Sequence, residues 1–172
     1  QRIFMVTQKA RDTELPGQED VYEVGCVGMV RQVLKMPRHV LRVLVAGEAR
    51  AVLQEVEEGD AYLRARVEIF DESDLAISDE LDEKAMERAL KDMFVEYAAK
   101  SGKMSKESVA QILEIHDLRR LVDEIAAGIP LHYTEQQEIL SKVDFGERYD
   151  TLAFRLVNEV EIMGIKENIR EK

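Results

Sequence analysis

The chain has 172 residues, of which 45% are hydrophobic, and 24 basic and 35 acidic side chains give it a formal net charge of −11. This length suits one domain or two small ones. The acidic balance argues against non-specific binding to nucleic acid or to anionic membranes. The sequence has no apolar run near the roughly 20 residues of a membrane-spanning helix. Its single cysteine, Cys26, excludes an intrachain disulfide and fits a reducing compartment.

Residues 1–76 show the alternation of apolar and polar side chains that is typical of β-strands. Pro37 and Gly59 mark turns between alternating stretches. Gly47 is expected to break or bulge the strand in which it lies. We predict five short antiparallel strands, at residues 2–8, 27–36, 40–46, 50–57 and 62–70.

Two of these predicted strands contain the candidate binding residues. Alternation in 27–36 places Met29 on one face and Leu34 and Met36 on the other. The stretch 40–46 is apolar at successive positions, so we expect it to be partly buried on both faces. Leu44 is nevertheless a candidate for exposure, because such a strand cannot always cover both faces. Flexible methionines suit surfaces that bind varied peptides, and the candidate substrate contacts are Met29, Leu34, Met36 and Leu44.

After residue 78 the apolar residues recur at helical spacing. We predict helices at 79–100, 105–113, 118–127, 134–142 and from 144 to the end of the chain. Ser105, Asp117 and Asp144 are expected to cap helices, and the run from Thr134 to Gln137 is expected to form a capping box. The last helix has no stop residue and the chain has no initiator methionine, so we expect the natural protein to be longer.

The last predicted helix has a seam of apolar residues at intervals of three and four. Such a seam requires a neighbouring helix, either inside the same bundle or in a second subunit. The candidate residues for this helix or oligomer seam are Tyr149, Leu156, Val160 and Met163.

The sequence lacks the usual catalytic and cofactor-binding patterns. It has no phosphate-binding loop and no Gly-x-Ser-x-Gly elbow, and its three histidines lack the spacing of metal ligands. Ser101 lies near Lys103, but no base or oxyanion-binding motif accompanies them. Arg64 and Arg66 could bind phosphate or RNA, although local ion pairs are the simpler interpretation. We therefore expect no catalytic, cofactor-binding or metal-binding residues in this chain.

Several segments resemble the N-terminal substrate-recognition domain of the Lon ATP-dependent proteases (endopeptidase La). Residues 3–8, 21–25 and 34–37 are similar to its early strands. The run Leu-Val-Ala-Gly-Glu-Ala-Arg-Ala at 44–51 resembles the family's Leu-Val-x-Gly-x-x-Arg-Ala signature. In the helical half, the similar residues are 137–140, Arg148, Leu152 and Glu159.

The resemblance implies an α+β fold. A PUA-like antiparallel β-barrel or sheet at 1–76 would be followed by an α-helical bundle at 77–172 that ends in a long helix. The family's first strand is missing from the chain, so an open sheet edge is expected. The resemblance also implies that ATPase and Ser–Lys protease modules, with their ATP and magnesium, belong to the parent protein and are absent here.

By the same resemblance, the function is recognition of unfolded, damaged or degron-bearing protein substrates and support of a homohexamer, in the bacterial cytoplasm rather than an organellar matrix. Two alternatives remain open. One is a PUA-like module that binds RNA or a small ligand, which the acidic balance opposes. The other is a module that serves oligomerisation alone, through the seam between Tyr149 and Met163.

Overall fold

A computed structural model describes residues 1–59, 61–71 and 80–170 of the chain. Contacts divide the chain into two compact units, Gln1–Asp74 and Leu75–Lys172. The predicted domain boundary at 76/77 and the predicted helix start at Asp79 both lie outside the described residues.

The first unit contains an antiparallel sheet of consecutive strands. Its described strands are β1 (Arg2–Met5), β2 (Val24–Met36), β3 (Val40–Glu57) and β4 (Arg64–Ile69), and they lie in the order β1-β2-β3-β4. Within the described residues, β1 and β4 form the two edges, so the strands make a sheet and not a closed barrel. Together with the helices that follow, this confirms the predicted α+β class.

The predicted strands 40–46 and 50–57 are a single 18-residue strand, β3, so of the two outcomes expected at Gly47, a break or a bulge, the bulge is confirmed. The ladder accommodates the glycine through a bulge. Val27 pairs with Ala49 and Gly28 with Gly47, which leaves Glu48 as an extra residue on β3. Because β2 continues alongside, the backbone of β3 keeps its hydrogen-bonding partner through the irregularity.

The buried core of the sheet unit is small and lies at the end of the sheet where all four strands overlap. Its buried apolar side chains include Val21, Val24, Val27, Ala51 and Leu53. The opposite end of the β2–β3 pair has no comparable buried residue.

The second unit contains five described helices: α1 (Glu80–Ser101), α2 (Lys106–Leu113), α3 (Leu118–Gly128), α4 (Tyr133–Ser141) and α5 (Phe145–Arg170). Three predicted caps are confirmed, since side-chain oxygens of Ser105, Asp117 and Asp144 each accept a backbone N–H from three residues later. These bonds satisfy donors that the first turn of a helix leaves unpaired.

The predicted capping box at Thr134 is displaced by two residues. His132 is the N-cap of α4: its Nδ1 accepts the Thr134 N–H, and the Glu135 carboxylate accepts the His132 N–H at 3.0 Å. Glu135 stands three residues after His132, the spacing at which a carboxylate reaches back to a cap.

The bundle has one hydrophobic core, to which α1, α3 and α5 contribute most of the fully buried side chains. Those below 2% exposure include Leu90, Phe94, Leu118, Leu121, Val122, Ile125, Leu152 and Leu156. This core is larger than that of the sheet unit.

Candidate functional site

The far end of the β2–β3 hairpin extends beyond the rest of the sheet. We call residues 31–44 the arm. Pairing of β1 with β2 ends at Met29, and pairing of β4 with β3 begins only at Ala51. Within the described residues, the two strands of the arm therefore pair only with each other, and both faces and both outer edges are uncovered.

The arm exposes large apolar side chains on both faces. Seven of them are between 40% and 59% exposed: Val33, Leu34, Met36, Val40, Leu41, Val43 and Leu44. A two-stranded hairpin is marginally stable in water by itself, and clustered exposed apolar side chains are a feature of interaction surfaces in proteins. The prediction that 40–46 is partly buried on both faces is wrong for 40–44, because no neighbouring strand or helix of the described chain covers them.

A bulge determines which side chains share a face of the hairpin. Val30 pairs with Val45, whereas Gln32 pairs with Leu44, so Arg31 is an extra residue on β2. Residues directly opposite one another share a face. Following the register, one face holds Met29, Leu34, Met36, Val40 and Leu44, and the other holds Val30, Val33, Leu41, Val43 and Val45.

The register therefore brings together all four residues predicted as substrate contacts. Leu34, Met36 and Leu44 are exposed, and Met29 is half-buried at the base of the arm, where it pairs with Arg2 of β1. The prediction that Met29 and Leu34 lie on different faces of the strand is wrong, because simple alternation takes no account of the bulge at Arg31. Four further exposed apolar residues were not predicted from the sequence: Val33, Val40, Leu41 and Val43. The run of hydrophobic residues at 40–44 could have indicated three of them.

The turn at the tip of the arm has an unusual backbone. Arg38 and His39 have φ values of 64° and 59°, in the left-handed region that favours glycine. Each non-glycine residue in this region costs about 1–2 kcal/mol. Such strain is concentrated at functional sites in proteins, and here it lies at the most distal point of the exposed hairpin.

The arm is also positively charged. Residues 24–47 contain Arg31, Lys35, Arg38 and Arg42 but no acidic residue, although the whole chain has a net charge of −11. All four cationic side chains are exposed. None of them forms an ion pair or a side-chain hydrogen bond with any part of the chain that the structure describes.

The seam residues of the last helix lie inside the bundle. Tyr149, Leu156 and Val160 are buried in the helical core, and Met163 packs against it. The Tyr149 hydroxyl donates a hydrogen bond to the Met86 carbonyl at 2.9 Å and thereby joins α5 to α1. Burial, and secondarily the Asp150 charge, raises the pKa of Tyr149 above its ordinary value. These side chains thus contact helices of their own unit, and a role in subunit assembly stays a prediction.

Other candidate chemistry is not assembled in the described residues. No group of three or more His, Cys, Asp or Glu side chains there could hold a metal ion. Arg66 forms ion pairs with Glu55 and Glu57, both at 2.9 Å, and the Arg64 guanidinium lies over the Tyr62 ring. Among the described helices, none is long and apolar enough to cross a membrane.

An open pocket of about 710 Å³ lies beside β3 in the sheet unit. Its lining includes Lys9, Gln18 and Gln54. The Gln18 amide is engaged with the strand itself, because it donates to the Gln54 carbonyl at 3.2 Å and accepts the Val56 N–H at 3.0 Å. The side chain thus stabilises the strand beside the pocket.

Comparisons with known proteins agree with this architecture. Residues 1–158 match the family model described as the ATP-dependent protease La (LON) substrate-binding domain. The chain is 33% identical over 172 residues to the Lon protease of Lachnoclostridium phytofermentans, covering 100% of this chain and 21% of that protein. It is 35% identical over 169 residues to the Lon protease of Clostridioides difficile, covering 97% and 22%. The chain thus spans about a fifth of the length of these relatives.

A solved structure has the same fold. The N-terminal domain of the Mycobacterium avium complex Lon protease superimposes with a TM-score of 0.65 at 19% identity. The match covers 92% of this chain and 77% of that domain.

Proposed function

Given that the chain belongs to the family of substrate-binding domains of the ATP-dependent protease La (LON), we propose that it binds apolar segments of unfolded or damaged protein substrates through the arm. The family predicted from the sequence is confirmed. The observation that supports the arm as the binding element is its solvent exposure on both faces, with seven large apolar side chains between 40% and 59% exposed.

The chemistry of the arm favours unfolded over folded substrates. Folded proteins bury most of their large apolar side chains, whereas an unfolded segment presents them in succession. Because these side chains are already about half buried, covering one of them stabilises a complex by roughly 1 kcal/mol before the ordering of both partners is subtracted. An unfolded segment that covers several arm residues would therefore bind measurably, and a folded protein would offer few equivalent contacts.

The backbone of the arm supplies a second type of contact. Within the described residues, the outer edges of β2 and β3 in the arm have N–H and C=O groups that no other strand pairs with. An extended peptide can form backbone hydrogen bonds with these groups. Main-chain pairing does not depend on the sequence of the peptide. A domain that must accept many substrates would gain affinity from this backbone pairing and could still bind peptides of different sequences.

In the parent protease, several copies of this domain would act together. A homohexamer would convert weak single-site binding into a higher avidity, and the ATPase and protease modules, with ATP and magnesium, would process the bound substrate. We expect this assembly in the bacterial cytoplasm. The present chain would supply recognition and no catalysis.

The test is a titration of the chain with one labelled protein, in its folded form and in a permanently unfolded form. Saturable binding of the unfolded form alone is expected. The double variant Leu34→Ser/Leu44→Ser should lose at least tenfold in affinity. A matched control is Leu15→Ser, because Leu15 is 92% exposed in the same unit but lies outside the arm. Equal loss in both variants, or equal binding of the folded form, would contradict the proposal.

Subunit assembly is a second candidate function, favoured by a separate observation. Outside the bundle core, α5 exposes Phe154, Val157 and Ile165 at spacings that place them along one side of the helix. This surface is distinct from the buried seam at Tyr149 and Leu156. If the stripe joins subunits, Phe154→Ser/Ile165→Ser should lower the sedimentation coefficient of the chain at high concentration and leave binding of the unfolded protein intact.

A further inference from the structure

The charge of the arm differs from that of the remaining chain. Four basic residues and no acidic one lie between 24 and 47, whereas the other residues hold 20 basic and 35 acidic side chains. Glu23 and Glu48 border this segment, so the change of sign coincides with the hairpin. The exposed apolar surface is therefore also the most cationic part of the chain.

The arm cations form no ion pair within the described residues, whereas several basic side chains elsewhere have a carboxylate partner. Lys84, Lys91 and Lys100 each pair with a glutamate four residues earlier on α1. Arg155 pairs with Glu135 and Glu138. No such pair forms at any arm cation within the part of the chain that the structure describes. The arm thus presents donors whose charge is not neutralised within its own unit.

The register places the cations among the apolar side chains. Lys35 lies opposite Leu41 on one face, and Arg42 lies opposite Leu34 on the other. Arg38 stands at the turn that joins the two strands. A peptide lying along either face would therefore meet apolar side chains and at least one cation within the same few residues.

We propose that the arm selects substrate segments in which apolar residues are interleaved with Asp or Glu. This inference rests on the proposed function, since it assigns the chemistry of the segment bound at the same surface. A carboxylate next to an apolar anchor would pair with Lys35, Arg38 or Arg42, while a lysine at that position would be repelled. Repulsion by the acidic remainder of the chain is screened beyond about 8 Å at physiological salt, so contacts at the arm decide the preference.

The size of the preference follows from exposed ion pairs. Two such pairs, one with Arg38 and one with the cation on the face that the peptide covers, each at the strength measured for exposed side chains, correspond to roughly a fivefold tighter binding of an acidic segment than of a neutral one. A basic segment should bind more weakly than the neutral one. The order acidic, neutral, basic is the signature of the arm, because the net charge of the whole chain alone would give the opposite order.

The experiment uses three unstructured peptides of equal length and identical apolar residues, with Glu, Gln or Lys at the intervening positions. Each is titrated into the whole chain by fluorescence anisotropy at fixed ionic strength. The Glu peptide should bind about fivefold more tightly than the Gln peptide. The variant Lys35→Gln/Arg38→Gln/Arg42→Gln should abolish this difference while it still binds the Gln peptide.

A control variant removes three positive charges outside the arm: Lys84→Gln/Lys100→Gln/Arg120→Gln. It has the same net charge as the arm variant and should keep the preference for the Glu peptide. If the preference disappears in the control as well, net charge is responsible and the inference is wrong.

The remaining outcomes separate the two proposals. Equal binding of the Glu and Gln peptides to the wild-type chain would overturn the charge preference and leave the proposed function standing. Absence of binding by all three peptides would overturn the proposed function. If a single-stranded RNA oligonucleotide binds in an arm-dependent way and the Glu peptide does not, the arm is a polyanion site and the charge inference is wrong.

Discussion

Met29 and Leu34 lie on the same face of the β2–β3 hairpin, although an odd number of positions separates them on one strand. The extra residue Arg31 between them reverses the alternation once. As a result, Met29 and Leu34 belong to a face that runs from the base of the arm to its tip and also holds Arg42. At about 3.3 Å per residue, the six residues from Arg31 to Met36 extend this face by roughly 20 Å.

Deletion of Arg31 is expected to leave the arm folded. Val30 and Gln32 already occupy opposite faces, so their direct connection gives a regular ladder with the same pairing to β3. Thermal unfolding should shift by little, and binding of an unfolded protein should persist. Deletion of Val43, where β3 is regular, should instead turn the residues beyond it to the opposite faces and reduce binding. Similar losses in both deletions would contradict the assigned register.

Gly25→Ala should destabilise the sheet unit by about 1–3 kcal/mol. A Cβ atom at this position would lie 2.3 Å from the Met5 carbonyl oxygen and 2.7 Å from Cζ of Phe4, and the backbone contact cannot be relieved by a side-chain rotation. Urea unfolding monitored by far-ultraviolet circular dichroism measures the change. Gly164→Ala is the opposite control, because its Cβ would meet nothing within 4 Å and alanine favours the helix by up to about 1 kcal/mol.

Arg148→Leu should destabilise the helical unit by roughly 3 kcal/mol. The guanidinium is fully buried, and it donates to the Lys142 carbonyl at 3.0 Å and to the Val143 carbonyl at 3.3 Å, both at the end of α4. Leucine would leave these carbonyls without that donor. In Arg120→Leu the replaced side chain is exposed, so the change should stay within about 0.5 kcal/mol. Equal effects in denaturant titration would show that Arg148 is not structural.

Tyr149→Phe tests the link between α5 and α1. Loss of the hydrogen bond to the Met86 carbonyl should cost about 1 kcal/mol at neutral pH. Because burial raises the pKa of Tyr149, the folded state holds the phenolic proton more tightly than the unfolded chain. The contribution of the protonated Tyr149 to the free energy of unfolding is fully present below a pH of about 10, and it is lost as the pH rises through the folded-state pKa.

The pH dependence gives the control for this variant. The pKa of Tyr97 is also raised, by burial and then by the Glu159 charge. The free energy of unfolding of the wild-type chain should therefore fall steeply in alkali, and less steeply in Tyr149→Phe. An unchanged alkaline slope in the variant would mean that the unfolded chain holds the Tyr149 proton equally well.

Local sequence patterns were sufficient to predict most of the secondary structure. The helices follow from apolar spacing, and the caps at Ser105, Asp117 and Asp144 follow from short side chains that reach the first turn. The cap at His132 was missed because imidazole is a rare N-cap, although the spacing to Glu135 was visible. The bulges at Arg31 and Glu48 depend on a partner strand, which no local window contains.

The exposure of the arm could not be predicted for a related reason. A strand that is apolar at successive positions is usually covered on both sides, and 40–46 has that composition. Whether a strand lies beside the arm depends on the pairing of β1 and β4, which within the described residues stops at Met29 of β2 and at Ala51 of β3. The four candidate residues named from the sequence lie on this hairpin, but the exposure of its whole distal end was not predicted, and their role as substrate contacts stays a prediction.

The exposed apolar arm has a colloidal consequence for the molecule that bears it. At neutral pH the net charge of −11 opposes association between copies of the chain by electrostatic repulsion, although the arm exposes apolar side chains. In acid, as the carboxylates become protonated and the net charge approaches zero, that repulsion disappears while the apolar side chains remain. Light scattering should then rise near the isoelectric point, because the acidic surface no longer limits association of the exposed hairpin with other copies of the chain.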